Sequence, residues 1–156
     1  MTLLRFLMWL SLIVWLGGII FFAVLAPNVF AVLPTRQLAG NVVGRMLPIL
    51  HWMGIASGLL FLTCSLIYSR IATGDSHPFA LRHLLLYFML LLTSISQFGV
   101  TRKMDALRKD MVNIDSVSIN DPRRIQFNGL HAWSTRLEIG VLLSGLIVVY
   151  LNSRSS

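Results

Sequence analysis

The sequence has little that belongs in water. Only 6 of 156 residues are acidic, and Asp, Glu, Lys and Arg together make 12%. A soluble domain carries about 25%. With 56% hydrophobic residues and a mean hydropathy of +0.75, too little polar surface remains to cover a water-soluble globule. One cysteine, Cys64, excludes an internal disulfide, and its apolar surroundings read as a small core thiol. HExxH, CxxC, a glycine-rich phosphate loop and GxSxG are all missing. No polar segment is long enough to build a separate active-site domain. The chain therefore reads as a non-enzyme, with no catalytic residues assigned. Basic residues are not scarce: 13 Lys and Arg give a net charge of +7 and a pI near 10.8. In a soluble protein that excess would suggest nucleic acid. In a membrane protein it reflects topology, so the expected partner is the lipid bilayer and nucleic acid is not expected.

What is present is four long apolar runs. A bilayer span needs about 20 residues. Residues 3–26, 46–68, 79–100 and 130–151 each qualify, the first with a continuation past Pro27 toward Leu33. The first run is too long for a signal-peptide core and reads as a retained span. Backbone groups in lipid must bond within their own segment, so all four are expected to be helices. The fold class is all-α: one four-helix transmembrane domain over 1–156, with a long loop at 101–129. "PNVFAVLPTRQLAGN" reads as a bent hairpin, and "SRIATGDSHP" as a short turn. Asp121-Pro122 is a helix start, with Asp as cap and Pro in the first turn.

The basic residues divide unevenly. Eight (Arg36, Arg45, Arg102, Lys103, Arg108, Lys109, Arg123, Arg124) lie in the first and third connections. Four (Arg5, Arg70, Arg82, Arg154) lie on the other side. The positive-inside rule then puts both termini outside the cytoplasm, in a bacterial inner membrane.

On this topology the polar residues of the spans fall at one depth. Asn28, His51, Thr93 with Gln97, and His131 with Ser134, Thr135 and Glu138 form a polar layer in the cytoplasmic half. His131, Ser134, Thr135 and Glu138 follow i, i+3, i+4, i+7 spacing and share one face. Charged groups in a span cost about 2.5–3.5 kcal/mol and therefore face the bundle. Arg136 lies off that face and either snorkels or pairs with Asp105. His77 and His83 read as outer-mouth residues in contact with headgroups or solvent. Gly54 and Gly58, four apart, read as helix packing. Three functions remain open. One is a cofactor-free protein whose layer serves packing, a protein partner or homo-oligomer, or a small solute. Another is a haem- or copper-binding module held by His51 and His131. The third is proton-coupled transport through Glu138.

Four phrases, "GGIIFFAVLAPNVFAVLP", "AGNVVGRMLPIL", "RKMDALR" and "FNGLHAWSTRLEIG", resemble the transmembrane protein 205-like family in the same order. The resemblance implies a four-helix integral membrane protein and no specific reaction. That layout is also distantly similar to small four-helix membrane proteins of copper handling and haem biosynthesis. Glu138 stands near a place where the family usually has asparagine.

Overall fold

The computed structural model describes residues 1–154. Helix α1 spans Thr2–Val32 and α2 spans Arg36–Thr73. The third rod is α3 (Leu81–Ser94), a π-helical segment (Ile95–Thr101) and α4 (Arg102–Met111) in unbroken succession. Helix α5 spans Pro122–Arg154. The fold is all-α, with no strand among the described residues, and four rods are long and apolar enough to cross a membrane. Large apolar side chains such as Ile13, Phe21, Leu59, Leu91 and Ile147 stay exposed along them. That is the surface lipid requires, and the chain is a multi-pass integral membrane protein.

The rods pack as two pairs, α1 on α2 and α3 on α5, which close on each other through α2–α3 and α1–α5 contacts. Helix α1 buries Met8, Leu12, Trp15, Leu16 and Ile19, one stripe at helical spacing. Trp15 lies across Gly54 and Gly58 of α2. A Cβ at Gly58 would stand 2.6 Å from the Trp15 ring and 2.7 Å from Leu90, and one at Gly54 would collide with the indole nitrogen. Gly145 of α5 receives Leu16 and Met89 in the same way. These glycines let large side chains of one helix lie on the backbone of another.

The helices overrun the apolar segments. The bent hairpin expected over 27–41 is only Leu33–Thr35: α1 continues through Pro27, and α2 begins at Arg36. A proline is tolerated inside a membrane helix when neighbouring groups accommodate the lost bond. Thr35 caps α2 by accepting from the Leu38 N–H, and Asp115 of the long third connection accepts from the Gln37 N–H. At its far end α2 stops at Gly74, whose φ of +81° suits glycine and whose N–H closes on the Arg70 carbonyl. Asp121 accepts from the Arg123 N–H at 2.8 Å and opens α5. The connections at Leu33–Thr35 and Val112–Asp121 thus share one end of the bundle, the basic end. Both termini and the turn after α2 share the other.

Candidate functional site

His51 is 1% exposed and points from α2 into the bundle. Its Nδ1–H donates to Gln97 Oε1 at 2.8 Å, and its Nε2 lies 2.8 Å from Glu138 Oε1. One histidine therefore ties α2 to the third rod and to α5. The Glu138 side chain is 15% exposed. With the Gln97 oxygen taking the Nδ1 proton, the Nε2···Oε1 line needs one more. Either a carboxylic acid donates to the imidazole, or an imidazolium donates to the carboxylate. Both arrangements hold the same proton count and leave the pair with no net charge. An apolar bundle tolerates such a pair far better than a lone carboxylate.

Gln97 lies in the π-helical segment. Such turns carry one more residue than an α-turn and recur at functional sites. Thr93 is buried one turn earlier, and Ser96 is fully buried beside Gln97. The hydroxyls of Thr93, Ser96 and Thr101 have no hydrogen-bond partner among the described residues. Elsewhere, Ser11, Thr63, Thr73 and Thr135 each donate to the carbonyl four residues back. Ser134 is buried one turn before Glu138.

Other residues of the expected layer stand outside it. His131 and Thr135 are exposed. Along α5 the buried stripe is Ser134, Val141, Ser144, Gly145, Val148 and Asn152, with Glu138 half-buried on it. His131 and Thr135 fall off its edge, because α5 turns inward a narrower face than the four-residue pattern suggested. Asn28 is exposed and donates to the Val24 carbonyl of its own helix at 2.7 Å. His131 thus does not join His51, both of whose ring nitrogens are already engaged. Arg136 lies over the Trp133 ring rather than beside Asp105, whose nearest cation is Arg108.

Residues 10–113 match the model of a family described as a domain of unknown function (DUF4149). The chain belongs to that family. No curated protein and no solved structure matches it. The DUF4149 segment takes in most of α1, all of α2 and the third rod, and so holds His51 and Gln97; Glu138 comes from the helix beyond it.

A second polar cluster within the DUF4149 segment escaped the sequence reading. His83, expected at the outer mouth, is fully buried. Its Nδ1–H donates to the His77 carbonyl at 2.9 Å, and its Nε2 accepts from the Ser65 hydroxyl at 2.8 Å. Both nitrogens are satisfied by a neutral ring. Beside it Arg82 donates to the Ser69 hydroxyl at 2.7 Å. His77, by contrast, is more than half exposed.

Proposed function

We propose that this membrane protein moves protons, alone or with a small solute, through a centre made of His51, Gln97 and Glu138. The observation that carries the reading is the 2.8 Å approach of His51 Nε2 to Glu138 Oε1 inside the bundle. A proton can shift along that line without creating net charge. An ionisable pair within the spans is costly, and transporters place such pairs on proton routes. Gln97 fixes the tautomer by holding Nδ1–H, which leaves Nε2 as the exchanging nitrogen. Haem or copper ligation has less support, since His51 offers no free nitrogen and His131 is exposed.

On this reading the basic end faces the cytoplasm of a bacterial inner membrane and both termini lie outside it, as the charge division favours. The kinship within the family is with transmembrane protein 205-like members, on the four phrases quoted above.

The test is proton flux. The full chain is reconstituted into vesicles holding a pH-sensitive dye, and an outside acid pulse is applied. Acidification inside should be faster than in empty vesicles. Glu138→Gln keeps a hydrogen bond to the ring but cannot exchange the proton, so it should lose that flux while keeping wild-type helicity and melting. Equal flux in wild type and Glu138→Gln would sink the reading and leave the trio as an interhelical clamp.

A further inference from the structure

At the basic end a cleft of about 500 Å³ opens between the first turns of α2 and the end of the third rod. Gln37, Asn41 and Arg45 line it from α2, at spacings of four. Asp105, Arg108 and Lys109 line it from α4. Three cations thus face one carboxylate.

Arg108 is the unusual member. Its side chain is only 18% exposed. The guanidinium lies on a floor made by Gly40 and Gly44, where a Cβ at Gly44 would collide with it, and it stacks over the Phe127 ring at 5.4 Å. Its nearest acid, Asp105, is 3.9 Å away, beyond hydrogen-bond range. Among the described residues no hydrogen bond reaches the guanidinium. A guanidinium has five N–H donors, and those of Arg108 keep contact with the open cleft, where an anion can accept from them.

The rim is strained as well. Val112 sits at φ 55°, ψ −55°, and the Asn113 N–H closes on the Met111 carbonyl, a γ-turn that is rare and unfavourable for a β-branched residue. Gln37 braces that turn, donating to the Val112 carbonyl and accepting from the Ile114 N–H. Strain held in place by neighbours is common at ligand clamps.

We propose that this cleft binds the phosphate of an anionic phospholipid headgroup, with Arg108 as the central donor and Arg45 and Lys109 as flanking charges. Planar guanidinium donors match phosphate oxygens. The cleft lies just past the apolar run that ends at Val100, at headgroup depth, where basic pockets between spans hold such lipids. At the same end of the bundle, Val42 joins Asn28, Val29, Val32 and Leu33 in a largely apolar groove of about 390 Å³ suited to an acyl chain. That groove favours a lipid over free phosphate. The inference does not depend on the proton centre.

The full chain in mild detergent is melted against phosphatidylglycerol, phosphatidylcholine and inorganic phosphate. Phosphatidylglycerol should raise the melting midpoint at concentrations where phosphatidylcholine does not. Arg45→Gln and Lys109→Gln change exposed residues and leave the packing intact. Each should weaken that effect about fivefold, and Arg108→Gln should weaken it further. Arg70→Gln, at the opposite end, should bind like wild type. Equal stabilisation of wild type and the Arg45→Gln/Lys109→Gln double variant overturns the proposal. So does stabilisation by inorganic phosphate with no preference between the two lipids, which would assign the cleft to a free anion.

Discussion

Replacing His51 with alanine removes two interhelical contacts at once and leaves Gln97 and Glu138 facing a void. Each such hydrogen bond in a membrane bundle contributes about 1 kcal/mol, so His51→Ala should lower stability by about 2 kcal/mol or more, read by denaturant titration in detergent. Asp121, at the basic end, makes a pH-dependent prediction. Hydrogen bonds from Arg123, and then its charge, pull the Asp121 carboxyl from 3.8 to about 2. A depressed folded value means the cap is fully present above the ordinary carboxylate range and is lost as pH falls toward 2. Protection of the Arg123 amide, measured as exchange relative to the unstructured chain at the same pH, should therefore hold down to about pH 4 and fall below it. The members of the central trio were legible in the sequence, because an amide, an imidazole and a carboxylate in apolar runs each need an explanation. His83 was not. It follows an arginine near a turn, as an interface residue does, and its burial depends on Ser65 and a carbonyl six residues upstream. Serines in membrane helices are so common that Ser65 and Ser96 gave no signal.

The four rods followed from hydropathy, and the start of α5 from Asp121-Pro122, but the first connection and the π-helical segment did not. Proline and glycine argued for a bent connection after residue 26, whereas α1 and α2 absorb both and leave a three-residue link. The π-helical segment was not foreseen either: "ISQFGVT" carries no mark of a wider turn, and in the fold it packs against α2 and α5. The glycine contacts yield a graded prediction. Gly58→Val must displace Trp15 and Leu90 and should cost about 1–3 kcal/mol. Gly17→Ala meets nothing within 4 Å and should be neutral or slightly stabilising. Melting both variants in the same detergent checks the contrast, and equal loss in the two would refute the packing account.

For the molecule as a whole, orientation is the property that charge implies and that single-site labelling can read. Cys64 is buried, so an introduced cysteine would be the only reactive thiol. Phe79 is 81% exposed at the terminal end, and Ile119 is 72% exposed at the basic end. Phe79→Cys should react with an impermeant maleimide on intact cells, and Ile119→Cys only after permeabilisation; the reverse pattern would invert the assigned topology. Seen along its full length, the third rod also contains a phase shift. The extra residue in the turn at Ile95–Thr101 sets the angle between two stiff halves, one burying Leu86, Met89 and Thr93, the other Met104 and Met111. Winding the same residues as an ordinary α-helix would rotate the lower half by about 100° about its axis. Arg108 would swing off its glycine floor while the upper half stayed seated. A single irregular turn thus works as an indexing joint, so any change in its winding would reset the proton centre and the anion cleft together.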